Sequence, residues 1–145
     1  MHEQRVKQEL KAVGVTRFGF MKFAINYLPK IIHKDEHIHG VVYGRYGEKT
    51  GSLTLVEGML VATDHRIIFV DHKPGYTSTD EITYEVVSGI KTNKAFFSAV
   101  TLHTRIGDYT IRFANSRCAA KFTRYVEKRR LESNKKSNNK TEDNF

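Results

Sequence analysis

The chain carries a single cysteine, Cys118, among its 145 residues. One thiol excludes an intramolecular disulfide. The opening residues, MHEQRVKQELKAVGV, hold no apolar core followed by a small-residue cleavage site, so they do not read as a secretory leader. Both observations lead us to expect a reducing, cytoplasmic compartment. Long hydrophobic runs are missing as well. The most apolar window, Phe18 to Ile32, is interrupted by Lys22, Asn26, Pro29 and Lys30, and is too short and too polar to span a bilayer. There is no P-loop, no GxGxxG and no nucleophile elbow, which removes the common nucleotide-binding and hydrolase signatures.

What is present is an ordinary globular composition. Hydrophobic residues make up 39% and charged residues 28%, enough for one domain with its own core and against global disorder. The formal net charge of +8 is unevenly spread. Residues 1–116 hold 15 Lys and Arg against 12 Asp and Glu, whereas residues 117–131 hold six basic residues against Glu127 alone. Residues 132–145 are balanced at three of each. A basic excess confined to one short segment points to an anionic surface as partner, or to a solvated helix face.

Hydrophobic periodicity divides the chain. Val6, Leu10 and Val13 form a thin apolar stripe on a charged helix over residues 2–13, with Gly14 as a stop. Phe18, Met21, Ile25, Leu28 and Ile32 define a second amphipathic helix, expected to break or restart at Pro29. From Ile38 the period shortens to that of strands. Strands are expected at 37–46, along 53–61 with a bulge or bend at Gly58, at 67–70, 81–87, 90–92, 97–104 and 109–113. The stretch 72–79 reads as a loop. A helix capped by Asn115 or Ser116 follows, with Cys118, Phe122, Tyr125 and Val126 as its apolar stripe, fading near Leu131. The polar remainder, 132–145, is expected to be disordered. Successive hairpins without crossover helices mean antiparallel pairing, and a small sheet of this kind closes or stacks to hide its edges. The amphipathic helix at its end can plug one mouth.

The segments LPKIIHKDEHIHGVVYGRYG (28–47), LVATDHRIIFVDHKPG (60–75), EITYEVVSGI (81–90) and FSAVTLHTRIGDYTIRF (97–113) resemble, in this order, the bacterial pleckstrin-homology (PH) family often called YokE-like. In that family a leucine-proline helix leads to an acidic turn, a V/L-x-T-x-x-R-hydrophobic-F motif forms the next hairpin, and two strands precede a closing helix. The resemblance implies a mainly β fold. It is a PH-like barrel of about seven antiparallel strands capped by a C-terminal α-helix and preceded by N-terminal helices. The expected organisation is an N-terminal helical extension at 1–30, a PH-like domain at 31–131 and a polar tail at 132–145. Thr63 and Asp64 suit a turn through their side chains, and the Arg66 stem is expected to cover apolar surface.

Phosphoinositide-binding PH domains place several cations on their first two strands and the loop between them. Here that region offers Arg45 and Lys49, with Glu48 and Glu57 nearby, too few convergent cations for a multiply phosphorylated headgroup. The positive charge lies instead on the last helix. Arg117, Lys121, Arg124 and Lys128 are spaced by 4, 3 and 4 residues and form one basic stripe. Such a stripe fits an anionic membrane or nucleic-acid phosphates, although no stacking aromatics accompany it, which disfavours nucleic acid. His33, His37 and His39, with Asp35 and Glu36, match no zinc signature and read as a polar loop; no metal or other cofactor is expected. Ser98, His103 and Asp108 lie within one hairpin and do not suggest a hydrolytic triad. Cys118, on an apolar helix stripe, reads as inert.

These readings give a non-enzymatic interaction module that binds a protein partner or itself and takes no small-molecule substrate. An exposed strand edge at Ile82–Val86, beside the final helix, is the expected docking surface. Peripheral binding to anionic membrane at the inner face, through the basic helix, is the alternative; nucleic acid is a distant third.

Overall fold

A computed structural model of the chain describes residues 1–15, 22–46, 56–93, 98–112 and 116–143. Two helices, α1 (His2–Ala12) and α2 (Lys22–Ile31), precede seven strands. These are β1 (Ile38–Tyr46), β2 (Val56–Thr63), β3 (Ile67–Lys73), β4 (Tyr76–Ile82), β5 (Val87–Asn93), β6 (Ala99–Thr104) and β7 (Gly107–Arg112). A 3-10 turn, Tyr84–Val86, links β4 to β5, and the long helix α3 (Ser116–Asp143) ends the fold. The strands form one antiparallel sheet in the order β4-β3-β2-β1-β7-β6-β5. β1 pairs with β2 along its whole length and, among the described residues, meets β7 at the Arg45–Arg112 pair. The backbone ladder does not close into a ring, and β4 and β5 are its two ends. Side chains span the two halves instead. The Tyr109 hydroxyl on β7 donates to Asp80 Oδ2 on β4 at 3.0 Å, and its ring lies 5.8 Å from that of Phe69. Burial and the Asp80 carboxylate push the Tyr109 hydroxyl up to about 12.

Strand side chains alternate between faces, and in β1 to β3 both faces are covered. Val42, Leu60, Ala62, Ile67 and Phe69 point inward with Val100, Leu102 and Ile111, against Ala119, Phe122 and Val126 of α3. Val41, Met59, Val61, Ile68 and Val70 point outward, against Val6 and Leu10 of α1 and Ala24, Ile25 and Leu28 of α2. That two-sided burial is why residues 67–70 are continuously apolar. Full burial of each such aliphatic side chain contributes about 1.5–3 kcal/mol. Cys118, Phe122 and Val126, spaced by four, are fully buried, so α3 presents the stripe its sequence announced. The helix seats closely: a Cβ on Gly40 of β1 would lie 2.8 Å from the Phe122 Cα.

Several expectations are corrected. The presumed loop at 72–79 is a hairpin: Lys73 pairs with Tyr76 across Pro74-Gly75, and Gly75 has φ 80°. β4 leaves no periodic signal in the sequence because Tyr76 to Glu81 are mostly solvent-exposed and carry no apolar alternation. The expected edge strand at Ile82–Val86 does not exist. Ile82 ends β4, and Tyr84 to Val86 form the 3-10 turn, with Ile82 and Tyr84 buried in the inner core. Gly58 marks no bulge: it faces Gly44 in register, and the irregularity lies in β1 between Ile38 and Gly40. Gly58 is small because a Cβ there would sit 2.6 Å from the Tyr46 ring. Pro29 lies inside α2, two residues from its end. The helix forgoes the amide bond that Pro cannot make and is held by the burial of Ile25 and Leu28. The α3 backbone continues past Leu131 to Asp143. Elongating an existing helix adds a hydrogen bond per residue and needs no apolar partner.

Candidate interaction site

The turn after α2 and the turn between β2 and β3 are locked together by one buried carboxylate. Glu36 is fully buried. Arg66 donates to it twice, from Nε to Oε2 at 2.9 Å and from its second terminal nitrogen to Oε1 at 3.1 Å. Thr63 Oγ1 donates to Oε2 at 2.6 Å and the His33 amide to Oε1 at 3.1 Å. Arg66 also reaches the Ile31 carbonyl at 2.8 Å and pairs with Glu81 at 3.4 Å. Burial alone would raise the Glu36 carboxyl. The hydrogen bonds from Arg66, Thr63 and the His33 amide, with the Arg66 charge, overcome it and hold the carboxyl at about 2. The T-x-x-R motif is thus one half of a clamp whose other half is the acidic turn. The Arg66 guanidinium, at the end of that stem, carries a largely buried ion pair. A second carboxylate, Glu9 of α1, accepts from the Ile38 amide at 2.8 Å and from Arg5 at 2.8 Å, and tethers α1 to the start of β1.

At the far end of the sheet, β5 pairs with β6 on one side only. It runs alongside α3, where Thr92 and Thr123 hydroxyls approach to 3.5 Å. Between β5, β6 and α3 lies a largely apolar cavity of about 280 Å³, lined by Thr92, Val100, Ala119, Ala120, Thr123 and Arg124. A second, wider hollow of about 610 Å³ lies further along α3, between Glu127, Arg130, Ser88 and His103. Of the exposed cations nearby, Arg124 lines the smaller cavity, Lys128 follows one turn along α3, and Lys91 on β5 borders the wider hollow.

Compared with known protein families, residues 32–128 match the family described as Bacterial PH domain. The chain belongs to this family. No curated protein matches it. Among solved structures, it is similar to a DUF1696 family protein with a pleckstrin-homology domain from Shewanella loihica PV-4. The two share 14% identity and a TM-score of 0.47, over 79% of this chain and 99% of that one.

In this PH domain the expected basic stripe is only partly available to a partner. Lys121 donates to the Ala12 carbonyl at 3.1 Å, and Arg124 Nε to the Ala120 carbonyl of its own helix at 3.4 Å. The Arg117 side chain lies outside the described residues, as does Lys49. Arg45 is exposed on β1, opposite Glu57. The neighbouring cations of α3 face inward or along the helix. Arg129 donates to the Asp64 carbonyl at 2.7 Å and sits 5.1 Å from the Tyr84 ring, while Arg130 pairs with Glu127.

The histidines that stand close in sequence separate. His37 joins Glu9 at 2.8 Å, and His39 stacks on Tyr125 at 4.4 Å. His103 Nδ1 does pair with Asp108 at 3.0 Å. Ser98, however, lies five residues along the strand from His103, roughly 16 Å at the rise of a β-strand. Ser98 borders the small cavity, whereas His103 and Asp108 border the wide hollow. Among the described residues no helix is long and apolar enough to cross a membrane.

Proposed function

We propose that this bacterial PH domain is a non-enzymatic interaction module that binds an acidic, extended segment of a protein partner along β5, beside α3. The observation that carries the reading is that β5 ends the sheet next to an apolar cavity. An added strand would pair with the β5 backbone while one of its side chains enters the cavity. Arg124, which lines the cavity, and Lys128, exposed one turn further along α3, favour acidic residues in that segment, through charge complementarity that speeds association and sets register.

The test is comparative capture from the native cell with the wild-type chain, Ala120→Arg and Arg124→Glu, with Lys34→Glu as a distant control. Ala120 and Arg124 are exposed, so neither substitution disturbs the core. Proteins held by the wild type and the control, and lost from both groove variants, would support the reading; an unchanged set would end it. The exposed pair Arg124 and Lys128 supports a second reading, peripheral binding to anionic membrane. Sedimentation with anionic vesicles at low and high salt separates the two, because only the membrane reading expects binding that Arg124→Glu with Lys128→Glu abolishes.

A further inference from the structure

The clamp that holds the two turns together also brings three metal-binding side chains to one exposed spot. His33 and Asp35 lie in the turn after α2, and His65 lies thirty residues later in the turn between β2 and β3. A ligand atom from each is within 4.8 Å of the other two, and all three residues are exposed. We propose that His33, Asp35 and His65 form a surface site for a divalent transition-metal ion such as Zn²⁺, which would join the two turns from outside as Glu36 and Arg66 join them from within.

The backbones that carry these ligands are fixed. The Glu36 amide donates to the His33 carbonyl at 3.1 Å, and the His33 amide returns to Glu36 Oε1 at 3.1 Å. Arg5 grips the His33 and Lys34 carbonyls at 3.2 and 3.0 Å. On the other turn, the His65 amide donates to Thr63 Oγ1 at 3.1 Å, and Thr63 is itself bound to Glu36. The two turns are stitched directly as well: the His37 amide donates to Asp64 Oδ1 at 2.8 Å, and the Asp64 amide to the His37 carbonyl at 3.0 Å. The supports are therefore set, and only the exposed side chains need to move. A tetrahedral ion with bonds of about 2.0–2.1 Å holds its ligand atoms roughly 3.4 Å apart, so small side-chain rotations close the site.

Two imidazoles and a carboxylate suit zinc, cobalt, nickel or copper. Magnesium and calcium prefer oxygen ligands throughout. Three protein ligands leave a position for water. The set was invisible in sequence because the nearby His37 and His39 are occupied elsewhere, while His65 sits beyond β2.

The experiment is calorimetric titration of the full chain, free of any histidine tag, with zinc chloride and separately with magnesium chloride, alongside thermal unfolding with and without zinc. The expected result is one zinc per chain, a higher unfolding temperature with zinc, and no response to magnesium. His65→Ala and Asp35→Asn should each weaken zinc binding by more than the roughly 10–100-fold that loss of an outer-shell partner alone produces. His72→Ala, on β3 away from the site, should bind as the wild type does. Failure of zinc to bind at one per chain, or wild-type affinity in His65→Ala, would overturn the proposal. Because all three side chains are exposed, loss of folding does not obscure the result, and circular dichroism of each variant verifies it.

Discussion

Arg66 Nε lies 2.9 Å from Oε2 of Glu36, a residue thirty positions earlier, and this pair joins the end of the helical segment to the β2–β3 hairpin. Glu36 has no exposed surface, and the Arg66 side chain is 15% exposed. Each partner therefore depends on the other for its solvation. Removing one member of a buried pair leaves an uncompensated charge and costs about 3–5 kcal/mol, whereas an apolar replacement of both is far milder. Glu36→Ala and Arg66→Met should each lower stability by about that amount in urea denaturation. The double variant should lose much less than the sum. Strict additivity would show that the two side chains act independently.

The same carboxylate sets an acid limit. Burial raises its pKa, but Arg66, Thr63 and the His33 amide bring it from 4.5 down to about 2. Its folded value lies below its unfolded value, so the native state binds fewer protons. Its contribution is complete above pH 4.5 and is lost progressively as pH falls toward 2. Glu9 is shifted in the same direction: burial opposes the change, and the Ile38 amide, His37 and Arg5 prevail. The urea midpoint should fall through this window in the wild type and fall less steeply in Glu36→Gln. Parallel curves for the two proteins would locate the acid sensitivity elsewhere.

At Gly40, β1 and α3 lie in close contact. A methyl group there would meet the Phe122 Cα at 2.8 Å and its Cβ at 3.3 Å, so backbone must move. Gly40→Ala should cost about 1–3 kcal/mol, as overpacking does. The effect should appear as faster amide exchange along residues 118–126 of α3, while α1 stays protected. Wild-type exchange in α3 would mean that the helix shifts freely on the sheet.

Cys118 is fully buried, and its Sγ lies 3.2 Å from the Val13 carbonyl. A thiol buried this completely lacks access to a reagent. A disulfide reagent should leave it unmodified in the native protein and titrate one thiol in denaturant. Rapid native labelling would show that α1 lifts from α3 far more often than its packing implies.

Sequence disclosed the apolar architecture well and the polar architecture poorly. The run at 67–70 and the stripe of Cys118, Phe122 and Val126 placed β3 and α3 correctly, because two-sided or one-sided burial writes a period into the chain. β4 writes none: Thr77, Ser78, Asp80 and Glu81 face solvent, and only pairing with β3 makes them a strand. The alternation of Ile82, Tyr84 and Val86 imitated an edge strand, yet it comes from a turn whose tyrosine is buried. Which strands end the sheet depends on strand order, which local pattern does not encode. Glu36 and Arg66 each read as a local feature, since nothing in sequence links positions thirty apart.

The outward face of β1 to β3 has a practical consequence for anyone dividing this chain. The family match begins at residue 32, after α1 and α2. Met59, Val61, Ile68 and Val70 nonetheless have those helices as their cover. A fragment cut at the family boundary would carry a bare aliphatic flank on three strands and would be expected to clump rather than fold as a tidy unit. For expression, the useful boundary of this domain lies at its first helix, well before the point where its family likeness starts.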